Sequence, residues 1–263
     1  MTSAAAGTPL VGLATSSVAP EGATAAFRAA AELGYDGVEV MVWSDPLSRD
    51  TEQLLRLSRE YDVPVLSIHS PTLLLTQGVW GRDPWARLVR SSEHAEALGA
   101  DVVVVHPPFR WQREYGAGFA EGIAALGEEH HVTFAVENMF PWRVGGRDIK
   151  AYAPSWDVLE QDYAHVTLDF SHAATARQDS MAIARALGPR LSHIHLGDGS
   201  GSLRDEHLPP GEGNQPCAEV LRMLAAQGWS GHVVAEVNTR RGRSRTDALR
   251  RTLEFARTHL RTP

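Results

Sequence analysis

The sequence has little of what would mark a secreted, membrane-spanning or nucleic-acid-coating protein. Its one cysteine, Cys217, excludes an internal disulfide framework and fits a reducing cytoplasm. No apolar run approaches the roughly 20 residues that a membrane span needs. A signal peptide has Lys or Arg before its apolar region, and here none precedes the first apolar stretch. The formal net charge of −7 has the wrong sign for a protein that coats nucleic acid. We therefore predict a cytoplasmic protein with no membrane contact.

The composition is that of an ordinary globular protein of moderate size. The 263 residues are 43% hydrophobic and 22% charged, which is ample for a sizeable hydrophobic core. No linker or low-complexity segment divides the chain. We predict a single domain that spans residues 1–263.

Short apolar runs rich in β-branched residues alternate with amphipathic segments of helical period. The candidate strands are 10–14, 37–43, 63–69, 101–106, 132–138, 165–170, 191–196 and 232–237. The helical pattern is seen, for example, in segments 22–34, 51–62, 84–100 and 246–260. This alternation predicts an α/β fold, a single (β/α)8 TIM barrel. An open doubly wound sheet is the alternative, but no Gly-rich dinucleotide motif follows the first strand.

Ionisable side chains close or interrupt most of these apolar runs at the carboxyl end of the strand. They are His69, His106, Glu137, Asp169, His172, His195 and Glu236. In a barrel, the carboxyl ends of the strands face one central crevice. Burying these acids and imidazoles there without compensation would cost several kcal/mol per ion, whereas a divalent cation would compensate them. Imidazole and carboxylate ligands suit zinc, manganese and similar ions.

The loop after the seventh strand, "LRDEHLPPGEGN" (203–214), is predicted to lie over the same crevice. Asp205 and His207 can then reach down as further metal ligands, and the glycines of "GEGN" permit close backbone approach or an anion-holding turn. His193 lies two residues before His195 and faces the same way on an extended strand. We interpret His193, and Glu39 on the second strand, as interior residues deeper than the ligands.

Two further groups of residues are candidates for substrate contacts. The segment "NTRRGRSR" (238–245) follows the eighth strand, where barrels often bind phosphate, so Arg240 and Arg241 are predicted to bind phosphate or another anion. The alternative is that these arginines are a solvated entrance to the last helix. Tryptophans after strands 3, 4 and 5, Trp142 among them, either wall a substrate pocket or pack the barrel rim.

The sequence resembles the xylose-isomerase-like barrels over essentially the whole chain. The resemblance is carried by "SIHSP", "VVVHPP", "AVEN", "TLDFSHA", "HIHLGD", "DEHLPPGEGN" and "VAEVN". In the isomerase and epimerase branch it implies one divalent ion held by Glu137, Asp169, His195 and Glu236. It further implies that Glu137 and Glu236 move a substrate proton as acid and base, and that the ion stabilises an enediolate. His172, in an Asp-x-x-His pattern, would contact the substrate oxygens.

The endonuclease IV branch of the same superfamily implies a different use of the same residues. There the four ligands join five more in a three-zinc cluster that cleaves phosphodiesters, and the five match His69, His106, His172, Asp205 and His207. The parts that handle DNA do not match. "MVWSDPLSRD" replaces the arginine-bearing loop after strand 2, and Thr72 replaces the tyrosine that wedges bases apart.

Taken together, these patterns predict a metal-dependent isomerase or epimerase that acts on a small sugar or sugar phosphate. One to three ions of zinc, manganese, magnesium or cobalt are expected. The alternative is a zinc phosphodiester hydrolase of the endonuclease IV type, which would make nucleic acid the partner. A metal-loaded barrel that serves as an accessory binding protein, with little turnover, is a third interpretation.

Overall fold

A computed structural model describes residues 8–43, 45–72, 74–76, 78–202, 204–241 and 244–261, and excludes the side chains of Val144 and Arg241. Among these residues, eight parallel strands close into one barrel. The strands are β1 (Leu10–Ala14), β2 (Gly37–Met41), β3 (Val65–His69), β4 (Val102–Val105), β5 (Thr133–Glu137), β6 (Val166–Asp169), β7 (Leu191–Leu196) and β8 (His232–Ala235). Their order around the barrel is β1-β8-β7-β6-β5-β4-β3-β2. The predicted (β/α)8 barrel is therefore confirmed, and each predicted strand overlaps an observed one.

Helices cover the outside of the barrel. They are α1 (Ala23–Leu33), α2 (Thr51–Tyr61), α3 (Pro84–Leu98), α4 (Arg113–Ala117), α5 (Phe119–His130), α6 (Phe170–Ala176), α7 (Ser180–Leu187), α8 (Cys217–Ala226) and α9 (Arg245–His259). Short 3-10 helices span Thr15–Val18, Pro46–Arg49, Leu74–Thr76, Val158–Glu160, Gly188–Arg190 and Thr239–Arg241. Within the described residues, no helix is both long and apolar enough to cross a membrane.

Local sequence signals fix where the longer helices begin and end. The carboxylates of Asp50 and Asp83 accept hydrogen bonds from the first-turn backbone N–H groups of α2 and α3. Gly34 and Gly99 adopt the left-handed conformation that ends α1 and α3, as their position after each apolar pattern indicates.

The alternation of side chains along the strands separates two environments. Val103 and Val105 of β4 point outward into the main core between strands and helices, while Val102 and Val104 pack inside the barrel with Ala135. On β7 the same alternation sends Ile194 outward to the main core. The imidazole of His195, the next residue on this strand, therefore lies inside the barrel and is fully buried. Strand geometry thus places this polar side chain in the barrel interior.

One element was not predicted. A two-stranded antiparallel hairpin, Trp142–Val144 paired with Arg147–Ile149, follows β5 and stands over the carboxyl end of the barrel. Gly145 and Gly146 form its turn with φ of 58° and 78°, as expected for a tight hairpin turn with positive φ at both central residues.

Candidate metal centre and active site

The carboxylate of Glu137 is the centre of the site at the carboxyl end of the barrel. Its Oε2 atom lies 3.2 Å from His69 Nε2 and 2.9 Å from His106 Nε2. Its Oε1 atom lies 3.0 Å from His172 Nδ1 and 3.2 Å from His195 Nδ1. One buried carboxylate therefore contacts imidazoles from four different strand ends or loops, as the sequence pattern predicted for this crevice.

Four side chains converge on a single point beside this carboxylate. Glu137, Asp169, His195 and Glu236 each offer one ligand atom, and these atoms all lie within 4.8 Å of one another. From His195 Nδ1, the nearest carboxylate oxygens of Glu236, Glu137 and Asp169 lie at 3.0, 3.2 and 3.7 Å. Ligand atoms bound to one ion at about 2.0–2.2 Å stand roughly 2.8–3.6 Å apart. The distances from His195 Nδ1 to Glu236 and Glu137 lie within this range and the distance to Asp169 lies just beyond it, so the four side chains could hold a divalent cation.

Two histidines beside the cluster, His207 of the loop and His172 of α6, place both ring nitrogens against oxygen acceptors. His207 places Nδ1 3.1 Å from the carbonyl oxygen of Glu236 and Nε2 2.9 Å from Asp205 Oδ2. His172 likewise places Nδ1 against the carbonyl oxygen of Asn138 and Nε2 3.2 Å from Asp205 Oδ2. A neutral imidazole donates from one nitrogen only. Each ring must therefore be an imidazolium or direct its second nitrogen at a cation.

The pKa values show the same deficit of positive charge. Burial alone would lower the pKa of His207, but the carboxylates of Asp205 and Glu236 raise it to about 10. For Glu236, burial opposes ionisation, yet His195 and His207 hold its pKa at about 2. The site thus stabilises carboxylates in their ionised form and attracts protons to the imidazoles, the charge balance that a divalent cation would replace.

A buried acceptor without a donor completes the test of fit. Within the described residues, Asp169 Oδ2 is buried and accepts no hydrogen bond. The other oxygen, Oδ1, accepts one from the backbone N–H of His172 at the start of α6. An unpaired buried carboxylate oxygen is costly in a protein interior. From its position beside His195 and Glu236 this oxygen could bind a cation, so the residues present fit a metal ion.

Glu39 and His193 lie behind the ligands, deeper in the barrel, as interpreted from the sequence. Glu39 Oε1 lies 3.0 Å from His195 Nε2, and Glu39 Oε2 lies 3.0 Å from His193 Nε2. Ser67 donates a further hydrogen bond to Glu39 Oε2. A carboxylate behind one ring nitrogen fixes the tautomer and leaves the other nitrogen free to bind a metal. The negative charge of Glu39 beside Nε2 favours a proton on that nitrogen, and His195 Nδ1 faces the four-residue cluster.

We expect Glu39→Gln to weaken divalent-metal affinity about 10- to 100-fold, because the amide lacks the negative charge that lies 3.0 Å from His195 Nε2. Isothermal titration with Mn²⁺ measures the change. Glu96→Gln, which alters a largely exposed acid paired with His130, serves as the control and should leave the affinity unchanged. Equal affinities in both variants would show that Glu39 only fills the barrel interior.

The loop that carries Asp205 and His207 is held by an acid that sequence reasoning missed. The fully buried carboxylate of Asp198 accepts backbone N–H bonds from Gly199, Gly211, Gly213 and Gln215 at 2.8–3.1 Å. The anion-holding turn predicted for "GEGN" therefore holds an anion of the protein itself. This bond network fixes both ends of the loop and places Asp205 against Ser171, whose hydroxyl donates to Asp205 Oδ1.

Two other polar residues near the ligands also escaped the sequence reasoning. Asn138 accepts the backbone N–H of Asp169 and donates to its carbonyl oxygen. Ser16 donates to Glu236 Oε1 at 3.1 Å. The position of Asn138 directly after Glu137 in "AVEN" was a usable signal, whereas Ser16 is 220 residues from its partner and gave none.

Three of the four residues predicted to contact the substrate line the cavity. Trp142 and His172 line the cavity above the ligands, together with Arg240. The side chain of Arg241 lies outside the described residues. The Arg240 Nε group donates to the carbonyl oxygen of Ala19. Arg245, another arginine of this segment, forms an ion pair with Glu21 at 2.6 Å. The charge of Arg245 is therefore paired within the protein.

The fold and the site together define a class of protein: a parallel (β/α)8 barrel with a buried cluster of imidazoles and carboxylates at the carboxyl ends of its strands. Residues 27–259 match the family described as the xylose isomerase-like TIM barrel. The chain belongs to this family, which confirms the resemblance inferred from its motifs.

Comparison with individual proteins agrees with this assignment. The chain is 52% identical to an uncharacterized protein of Mycobacterium tuberculosis over 272 residues, covering 95% of this chain and 97% of the relative. It is 23% identical to the fructoselysine 3-epimerase of Escherichia coli O157:H7 over 247 residues, covering 81% and 85%. A solved D-tagatose 3-epimerase-like protein superposes with a TM-score of 0.67 at 23% identity, covering 96% and 100%. The D-allulose 3-epimerase of Methylomonas sp. superposes with a TM-score of 0.68 at 16% identity, covering 96% and 98%.

Proposed function

We propose that this protein is a divalent-metal-dependent isomerase or epimerase of a sugar, in which Glu137 and Glu236 transfer the proton. The observation that carries the proposal is the convergence of these two carboxylates, from β5 and from the end of β8, on the same ligand cluster at the floor of one cavity. Two carboxylates and an electrophile are what proton transfer next to a carbonyl requires. The names of the fructoselysine, tagatose and allulose 3-epimerase relatives support the same chemistry.

The metal in this proposal is held by Glu137, Asp169, His195 and Glu236. When bound, it would polarise neighbouring carbonyl and hydroxyl oxygens and stabilise an enediolate. Zinc, manganese, magnesium and cobalt are all compatible with this set of N and O donors.

The protein's own side chains position and move the proton. Glu236 lines the cavity and is placed to accept the proton next to the carbonyl. Glu137 belongs to a strand three positions away around the barrel, so it approaches the substrate from a different direction. His106 Nε2, 2.9 Å from Glu137 Oε2, can supply the proton that Glu137 returns. His172 lines the cavity beside them and is placed to bind the substrate oxygens.

The experiment is solvent-deuterium incorporation. The protein loaded with Mn²⁺ or Co²⁺ is incubated in D₂O with D-fructose, D-allulose, D-tagatose, their phosphates, and methyl 3-keto-D-glucopyranoside. We expect at least one compound to gain deuterium at the carbon next to its carbonyl, measured by mass spectrometry and, after metal removal, by NMR. No gain in any compound of this panel would contradict the proposal.

The phosphorylated compounds are expected to be poorer than the free sugars. Among the described residues that line the cavity, Arg240 is the one lysine or arginine. Its exposed position gives a phosphate group little of the fixed positive charge that buried arginines provide. Of the two predicted substrate classes, a sugar and a sugar phosphate, we therefore propose the sugar without a phosphate group.

A second candidate function is supported by the remaining ligands. His69 forms a further possible metal group with Glu137 and His195, and His207 forms another with Asp169 and His172. These groups would hold the additional ions of a phosphodiester hydrolase of the endonuclease IV type. Cleavage of an abasic-site DNA duplex by protein that contains about three zinc ions per chain would favour this function over proton transfer.

A further inference from the structure

The cavity above the ligand cluster consists of two chemically different parts. Its floor is formed by the ionised groups already described. Its upper part is formed by large apolar side chains, chief among them Trp43, Leu74, Leu75, Phe109, Phe140 and Trp142. A free sugar presents hydroxyl groups along its carbon chain and only its C–H faces to apolar side chains, so this apolar lining is larger than a sugar alone would need.

One wall of the upper part is aromatic and well packed. Phe109 is buried, and its ring stacks on Trp111 at a centroid distance of 4.6 Å and on Tyr152 at 5.2 Å. Trp142 packs against the same ring at 5.8 Å. Phe140 extends this wall to the floor, because its ring contacts the His172 ring edge-on at 5.0 Å. The wall is a preformed aromatic surface that reaches the ligand cluster through Phe140.

A second part of the lining consists of apolar side chains that are exposed to solvent. Leu75 is 83% exposed, Leu74 is 46% exposed and Trp43 is 37% exposed. In the described part of the chain seven large hydrophobic side chains are exposed, and these three of them line this one cavity. Exposed apolar side chains that cluster in a concave surface indicate a ligand-binding site.

The size of the cavity leads in the same direction. Its volume is about 720 Å³, within the roughly 300–1,000 Å³ that is typical of sites for drug-sized ligands. A free hexose is much smaller than such ligands. It would leave the apolar upper part filled with water while it occupied the polar floor.

We propose that the substrate is a sugar that carries an uncharged apolar substituent, preferably a flat ring. The sugar binds at the floor, and the substituent lies between the Phe109–Trp142 wall and Leu74, Leu75 and Trp43. This inference rests on the proposed function for its polar end. The substituent is uncharged because the side chains that would surround it are apolar, and the one lysine or arginine among the described lining residues is the exposed Arg240.

The test compares two probes that differ only in the substituent. Methyl and phenyl 3-keto-D-glucopyranoside are offered to the Mn²⁺-loaded protein, and both the binding constant and the rate of deuterium incorporation are measured. We expect the phenyl probe to bind at least about tenfold more tightly, because its ring removes apolar surface from water. The double substitution Leu74→Ser/Leu75→Ser should reduce this preference severalfold. Leu159→Ser, an exposed leucine outside the cavity, is the control and should retain the full preference.

The two probes separate failure of this inference from failure of the proposed function. Exchange into both probes with equal affinities would overturn the inference and leave the proton-transfer chemistry intact. Preferential binding of the phenyl probe without exchange into either would support the apolar subsite and count against the chemistry. If neither probe binds, the inference is wrong.

The remaining occupant of the apolar wall is a second copy of the chain. In that case the protein would sediment as a dimer, the Leu74→Ser/Leu75→Ser variant would sediment as a monomer, and the phenyl preference would be absent. That combination would overturn the inference. Sedimentation velocity on the unsubstituted protein and this variant, beside the binding data, supplies the result.

Discussion

Glu236→Gln will lower the rate of deuterium incorporation into a reactive sugar by about 10³-fold, even when the metal concentration is saturating. The reason is that glutamine keeps the shape of the side chain and the oxygen that accepts the Ser16 hydrogen bond, but cannot accept the substrate proton. Single-turnover exchange measured by mass spectrometry at saturating metal gives the rate. Glu137→Gln should be similarly impaired, because the second glutamate is needed to return the proton.

The matched control is Glu212→Gln. Glu212 is an exposed acid of the 203–214 loop and pairs with Arg251. Its exchange rate should equal that of the unsubstituted protein. If Glu236→Gln and Glu137→Gln both retained more than a tenth of the original rate, another base would have to carry out the reaction. The assignment of the two glutamates would then be wrong even if the protein bound metal.

Removal of the metal will lower the melting temperature by roughly 10 °C. A ligand present at 100 to 1,000 times its dissociation constant stabilises the folded state by about 3–4 kcal/mol, which corresponds to roughly 2–4 °C per kcal/mol for a chain of this size. The effect is expected to be large because Glu137, Asp169 and Glu236 would otherwise share one buried site without a cation. Scanning calorimetry before and after chelation measures the change, and re-addition of Mn²⁺ should reverse it.

Two variants make the calorimetric result specific to the site. Asp169→Asn should melt at nearly the same temperature with and without chelator, because it lacks one charged ligand. His165→Asn alters an exposed histidine that bonds to Ser192, far from the ligand set, and should respond to chelation as fully as the unsubstituted protein. An unchanged melting temperature of the unsubstituted protein after exhaustive chelation would contradict the metal-centre hypothesis.

The barrel was predictable because its cause is local in the sequence. Buried parallel strands require continuous apolar runs, and residues such as the valines at 102–105 carry that signal without any reference to distant parts of the chain. Closure of the barrel then brings the ends of the strands together. For this reason the sequence alone predicts that Glu137, Asp169, His195 and Glu236 share one crevice.

The parts that could not be predicted depend on contacts between distant residues or on very short elements. No local sequence pattern distinguishes Asp198, yet its carboxylate accepts hydrogen bonds from backbone groups up to 17 residues further along the chain. The hairpin that begins at Trp142 has strands of three residues, too short for an alternating pattern to be read. Arg245 carried the expected positive charge, but its partner Glu21 is more than 200 residues away in the sequence.

The most direct measurement is an anomalous difference map from crystals of the Mn²⁺-loaded protein. The account predicts a peak at about 2.0–2.4 Å from one ligand atom of each of Glu137, Asp169, His195 and Glu236. A map with no peak among these four side chains, in crystals whose solution counterpart is saturated with Mn²⁺, would contradict it.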